Sequence, residues 1–274
     1  GAASTPPVLI VMRWLHGGSQ PVTGFVGKGL VYDSGGYSLK PNASMRNMFD
    51  DMGGAGAVIG AMTAVASQNL PVNVVGVIAA CENKIGDDAT MPGDVIGSMV
   101  GKYIEVVNTD AEGRLTLADA LTYAIRCENC RVLADIATLT GAVKAAVGRF
   151  SSGVMSNDDN LYLALQQASE RSCEKIWRLD LDAEMMVSLH SQAADLCNTA
   201  GDKNAGGGSI LAGLFLQEFV EAHPWLHIDM ASMTYRREGS AESAAGATGY
   251  GAALLYYLAC RLPEYYAGAE KGEP

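Results

Sequence analysis

The chain has 274 residues, 49% of them hydrophobic, with 32 glycines and a formal net charge of −11. That length and composition fit one large α/β domain with ample core rather than a disordered chain. The acidic balance argues against nucleic acid and anionic membrane as partners, since both need a basic face, and no apolar run approaches the ~18 residues of a transmembrane helix. The opening GAASTPPVLIVMRWLHGG has no basic region ahead of its apolar stretch, so no signal peptide is read. Six cysteines, mostly in apolar runs, are too few for a disulfide scaffold and fit a reducing compartment. CENC at Cys127 to Cys130 is a lone pair without a partner pair or a nearby histidine, which is weak ground for a metal or redox site.

Taken in chain order, PPVLIVMRW reads as a buried strand after a proline pair. PVTGFVGKGLVYD is a second strand that ends in the tight turn SGG. MFDDMGGAGAVIGAMTAVASQ is a helix whose small residues let it lie close on a sheet, with Asp50 and Asp51 in its first turn. PVNVVGVIAACEN, almost wholly apolar, is a strand of the parallel-sheet type. YIEVVNT is a strand, LTLADALTYAIR a helix, and RVLADIATLTGA a strand with a turn. NLYLALQQASERSCEKI is an amphipathic helix, and GGGSILAGLFLQEFVEA a helix behind a glycine-rich loop. WLHIDMAS is a last buried strand and GYGAALLYYLACRL a closing helix, with PEYYAGAEKGEP as a frayed, solvated tail. Strands alternate with helices, which predicts a three-layer α/β/α sandwich whose mostly parallel, mixed sheet is covered on both faces. There is no internal repeat or linker, so residues 1–274 are read as one domain. The polar loops 83–94 and 196–208 are long enough to border a site.

Ligands of open α/β sheets sit at the carboxyl ends of the strands, and the acids collect there. Asp33 ends the second strand, Asp51 opens the next helix, and Asp110 and Glu112 follow YIEVVNT in the run NTDAEGRL. Each could be a solvated or helix-capping acid on its own. Brought together they would repel, and two divalent cations of the Zn²⁺ or Mn²⁺ type would cancel the four charges. Lys28, inside an apolar strand, needs a partner. It lies five residues before Asp33, so a regular strand would send the two to opposite faces, and Gly29 offers a place for a bulge that unites them. Lys40 is either a surface lysine or a cation beside a developing oxyanion. In NTDAEGR, alternation aims Asp110, Glu112 and Arg114 in one direction. The four histidines show no ligand spacing and read as core or surface. The glycine-rich run KNAGGGSILAG lacks a GKS/T ending, so it is read as close packing near the site mouth rather than a phosphate loop.

VGKGLVYDSGGYSLKP, MFDDMGG, PGDV, NTDAEGRLTLADAL and ATLTGA occur in the order and spacing of the leucyl aminopeptidase family, dinuclear metallopeptidases of cytosolic type. The resemblance spans nearly the whole chain, and NTDAEGRL is highly specific. It implies that Lys28, Asp33, Asp51 and Glu112 ligate the tighter metal, with Lys28 as a neutral amine. Asp33, Asp110 (side chain and main-chain carbonyl) and Glu112 then ligate the exchangeable one. Lys40 and Arg114 match the two catalytic positions. Arg114 would hold a bicarbonate ion that serves as general base, with Gly113 and Leu139 as its backbone neighbours. Met48, Thr138, Gly141 and Ala231 match positions lining the pocket for the first side chain, and Thr234 stands where some members carry methionine.

The resemblance further implies removal of N-terminal leucine or another apolar residue from peptide substrates, by a water shared between two divalent metal ions, zinc or manganese. It implies a homohexamer in the cytoplasm, and a chain that corresponds to the catalytic domain without the family's own N-terminal domain. Two other readings are another two-metal hydrolase, such as a phosphatase or nuclease, and a non-catalytic paralogue acting as an assembly subunit. The first would want basic residues for its phosphate. The second is opposed by the presence of all seven metal and catalytic positions.

Overall fold

The structure is a computed structural model that describes residues 5–202, 205–231, 233–239 and 244–271. In chain order it contains β1 (Val8–Leu15), β2 (Val22–Asp33), α1 (Asn42–Met45), α2 (Gly53–Ser67), β3 (Asn73–Asn83), β4 (Val95–Gly97) and β5 (Tyr103–Glu105). Then come α3 (Gly113–Arg126), β6 (Cys130–Ala137), α4 (Gly141–Val147), β7 (Ser152–Ser156), α5 (Asp159–Ser172), β8 (Ile176–Arg178) and β9 (Leu196–Cys197). The last are α6 (Gly208–Gln217), β10 (Trp225–Asp229) and α7 (Ala252–Lys271), apart from a two-residue hairpin ladder, Tyr235–Arg236 with Gly246–Ala247.

Seven strands form one sheet in the order β1-β3-β2-β6-β10-β7-β8, and β4-β5-β9 form a small second one. The central strands β3, β2, β6 and β10 run parallel. β1 and β7 pair antiparallel with β3 and β10, so the sheet is mixed. Period-two alternation sorts the core into two layers. Phe25, Val74, Ile78, Ala134 and Ile136 pack against α2, α5 and α7. Val26, Val75, Val77 and Leu133 pack against α3 and α6. The expected three-layer α/β/α architecture is therefore present. Glycine sets the closeness of α2: a Cβ on Gly54 would lie 2.0 Å from the Ile136 carbonyl oxygen, so only a residue without one fits there.

Several expectations fail. PPVLIVMRW forms β1, but as an edge strand with Val8 57%, Leu9 44% and Leu15 54% exposed. An apolar run reports strand propensity and does not reveal whether a neighbour covers it. The tail PEYYAGAEKGEP is not frayed within the described residues, since α7 continues through Pro263 to Lys271. The reason lies in the stripe Leu255, Leu258, Leu262 and Tyr266, whose three- and four-residue steps keep burying side chains beyond the proline. Tyr266 is buried, its hydroxyl bonded to Thr23 of β2. The Tyr265 hydroxyl donates to Asp158, which caps α5. Asp50 and Asp51 precede α2 rather than sit inside its first turn, with Asp50 in a 3-10 turn at Met48–Asp50.

β2 connects through α2 to β3 on one side, and β3 connects through α3 to β6 on the other. The chain therefore reverses direction across the sheet at β2, which opens a crevice beyond the carboxyl ends of β2 and β6.

Candidate active site

The crevice is a cavity of about 1650 Å³ lined by Lys28, Asp33, Lys40, Met48, Asp51, Asp110, Arg114, Thr138, Leu139, Gly141 and Ala231 among others. Of the predicted site residues, Glu112 and Gly113 lie just behind its wall.

β2 supplies Lys28 and Asp33, both buried. The bulge that unites them exists, but it falls at Val31, where pairing with β3 shifts register between Leu30 and Tyr32, and not at Gly29. Lys28 Nζ donates to Asp51 Oδ1 at 2.8 Å and to the Thr138 carbonyl at 3.0 Å. It also lies 3.1 Å from Glu112 Oε1. Asp51 Oδ2 sits 2.8 Å from the same ammonium but off the hydrogen-bonding direction. Gly113 is the reason Lys28 fits: a Cβ there would lie 2.4 Å from Lys28 Cε.

Asp33 Oδ1 accepts from Gly35 N and Asn83 Nδ2, each at 2.8 Å. Lys40 Nζ bridges Asp33 Oδ2 at 2.8 Å and Asp110 Oδ1 at 2.5 Å. Asp33, Asp110 and Glu112 each offer an oxygen within 4.8 Å of the others, and Asp51 joins them through Lys28. The four acids thus converge, with two lysines between them. Burial alone would lower Lys28, but the facing carboxylates of Asp51 and Glu112 outweigh it and raise the ammonium above its ordinary range. Adjacent dications would reverse that balance. Burial pushes Asp51 and Glu112 above the usual carboxylate range, against the pull of Lys28.

NTDAEGR is not an alternating strand. Residues 108–112 form a turn and Gly113 begins α3, so Arg114 comes from a helix's first turn while Asp110 and Glu112 come from the turn before it. Arg114 is buried. Its Nη1 donates to the Asn198 carbonyl at 2.9 Å, its Nε has no partner among the described residues, and burial lowers its pKa.

Three residues that hold this arrangement were not singled out from sequence. Asn198 is fully buried. Its Oδ1 accepts from Val107 N at 2.9 Å and Asn108 N at 3.3 Å, and its Nδ2 donates to the Asn108 and Ala111 carbonyls at 2.7 and 3.2 Å. It clamps the acidic turn and, through its carbonyl, orients Arg114. Asn83, at the end of β3, ties Asp33 to the Thr109 carbonyl. Asp229, at the end of β10, accepts from Leu139 N, Thr140 N and Ala231 N at 3.2, 3.3 and 3.3 Å, and from the Thr140 hydroxyl at 2.5 Å. It fixes the loop that carries Thr138, and the Leu139 N–H is engaged there. A polar residue closing an apolar strand is the signal that gave Asp33, and it applies equally to Asn83 and Asp229.

His227 is a core residue: its Nδ1 bonds Asp135 Oδ1 at 2.5 Å in the interior. In the glycine-rich run, Lys203 and Asn204 lie outside the described residues. Gly207 packs on Met185 and Gly208 lines the cavity, as close packing at the mouth requires.

A doubly covered mixed sheet with carboxylates and lysines gathered at the ends of its central strands defines an α/β protein with a polar, acid-rich pocket at the strand ends. The chain belongs to the cytosol aminopeptidase family, whose catalytic-domain model matches residues 1–256. It is 48% identical over 260 residues to a probable cytosol aminopeptidase of Clostridium perfringens, covering 93% of this chain and 52% of that protein. It is 47% identical over 260 residues to the Treponema denticola counterpart, covering 94% and 54%. The chain thus spans about half the length of the curated relatives it matches. Among solved structures, the bottromycin maturation enzyme BotP superposes with a TM-score of 0.88 at 37% identity, over 96% of this chain and 56% of that one. The same enzyme in complex with Mn gives 0.89 at 36% identity, over 97% and 57%.

Proposed function

We propose that this chain is the catalytic part of a metal-dependent aminopeptidase that removes an N-terminal residue, leucine or another apolar one, from peptides. The observation that carries the reading is the convergence of Asp33, Asp110 and Glu112 oxygens within 4.8 Å, with Asp51 linked through Lys28. The donor set fits a pair of hard or borderline divalent ions. The buried Glu112 Oε2 has no partner among the described residues, a cost that a cation would remove.

Lys28, Asp33, Asp51 and Glu112 would hold one ion, and Asp33, Asp110 and Glu112 the other. Zinc or manganese bound there supplies Lewis acidity and lowers the pKa of water from 15.7 toward about 7. The chain's own groups do the rest. Lys40, which lines the cavity, would donate to the oxyanion that develops on the scissile carbonyl. Arg114, whose Nε has no partner among the described residues, would hold bicarbonate, which supplies a general base. Asp229 holds the Leu139–Thr140 backbone, and Met48, Thr138, Gly141, Ala231 and Thr234, which line the cavity, would form the wall for the first side chain. A cytoplasmic homohexamer belongs to the same reading; the names of the relatives, probable cytosol aminopeptidases, support its location alone. No described helix is long and apolar enough to cross a membrane.

The test is metal quantification paired with turnover of a leucine anilide and of a phosphate ester, before and after chelation. Bound metal with chelator-sensitive anilide hydrolysis supports the reading. Ester hydrolysis without anilide hydrolysis, or activity that survives complete metal removal, overturns it.

A further inference from the structure

The charge of the cavity wall runs against the charge of the chain. The protein carries 19 basic and 30 acidic residues, yet the wall has eight of the former and six of the latter. Lys28, Lys40 and Arg114 belong to the acid-rich floor. The other five, Lys144, Arg149, Lys175, Arg236 and Arg237, are exposed around the outer wall. They come from four separate places: α4, the loop after it, the turn before β8, and the hairpin at Tyr235–Arg236. Among the described residues none of the five is in an ion pair; Arg46, Arg131 and Arg171 are likewise exposed and unpaired elsewhere on the surface, but only these five gather around one concave opening. Of the wall's other acids, only the exposed Glu238 lies free beside them, next to Arg236 and Arg237 but in no ion pair with either, so four of the five positive charges are left over. Glu174 is committed to Gly251 N and Leu254 N at the start of α7, and Asp50 contacts Thr234.

Convergent unpaired cations around a concave mouth focus a positive potential in a chain that is otherwise negative. A peptide whose first residue sits at the floor must pass its remaining length through this mouth. We infer that the preferred substrates carry a carboxylate just beyond the scissile bond, either an acidic second side chain or the free C-terminus of a di- or tripeptide. The inference rests on the aminopeptidase reading and adds a substrate class to it. The first-residue pocket is defined by the floor, so this preference is independent of what the first residue is.

Four substrates separate the two sources of charge in the full-length, manganese-loaded protein. Leu-Glu-amide against Leu-Gln-amide tests the side chain, and Leu-Gly against Leu-Gly-amide tests the C-terminus. A preference of about fivefold in kcat/KM for the charged member, the upper range for one exposed ion pair, is expected in at least one pair. It should shrink severalfold as salt rises from about 0.05 to 0.5 M and screening takes over. Combined Arg236→Gln and Arg237→Gln substitution should bring the ratio toward one, whereas a folding defect would lower both members and leave their ratio in place. Binding is read separately by calorimetry with reduced-amide analogues of Leu-Glu-amide and Leu-Gln-amide, which cannot be hydrolysed. Equal rates and equal affinities within both pairs, with all four peptides turned over, overturn this inference and leave the aminopeptidase reading standing. Absence of turnover for every peptide overturns both.

Discussion

Asn198→Ala is the most informative single perturbation, because Asn198 touches neither a proposed metal ligand's side chain nor the reacting atoms. Its amide makes four hydrogen bonds to the backbone of residues 107–111, two of them short at 2.7 and 2.9 Å and two long at 3.2 and 3.3 Å. The short pair contributes about 1 kcal/mol each net, and the buried groups left behind cost about 1–3 kcal/mol each unless the loop opens to water. A loss near 3 kcal/mol is expected, which for a domain of this size lowers Tm by roughly 6–9 °C. Alanine keeps the main-chain carbonyl that receives Arg114, but it releases the turn that positions Asp110. A displacement of about 1 Å there is enough to cost on the order of 100-fold in turnover. The assay is kcat/KM on a leucine anilide well below the variant's Tm, with thermal melting and metal content measured on the same sample. Asn198→Asp keeps the acceptor for Val107 and Asn108 but loses both donors, so it should not rescue activity. A variant with Tm within about 2 °C of the parent and kcat/KM within about threefold would refute the clamp.

Asp110→Ala should abolish turnover and lower metal content. Lys40→Ala should cost about 10²–10³ in kcat, the typical value for one oxyanion donor, and leave metal in place; metal analysis beside the kinetics separates the two. Removing metal with a chelator should lower Tm, since metal at 100 times its Kd stabilises the native state by about 2.7 kcal/mol; an unchanged melting curve would argue that the cluster binds none. The α-amine of a peptide ionises near pH 8 and binds metal only when unprotonated, so kcat/KM should rise from pH 6 to pH 9. An optimum near pH 5 would contradict amine coordination.

Much of this site was legible in the sequence because its residues break local rules. Lys28 in an apolar strand and acids at strand ends conflict with burial, and the conflict marks function. The apolar runs of β2, β3, β6 and β10, flanked by helical periodicity, were enough to give the doubly covered sheet. What stayed hidden depends on long-range partners. The bulge at Val31 is a register event between β2 and β3 that no single strand reveals. The convergence of Asp110, Glu112 and Arg114 was anticipated, but from alternation; the chain achieves it by a turn running into a helix. β7 and β8 are short and carry serine, arginine and one tryptophan, so no apolar run announced them. Asn198 is an ordinary polar loop residue until the loop folds against residues 105–111.

The far end of α7 has a practical consequence. Pro263 invites a domain limit drawn just before it, because proline so often ends a helix. Cutting there would strip away both tyrosines that follow. The hydroxyl of Thr23 would lose its bond inside the sheet, and the residue that starts α5 would lose a support. Whoever trims this protein for expression should keep the chain at least through Tyr266, and should expect a shorter version to melt early even though every residue of the pocket is still present.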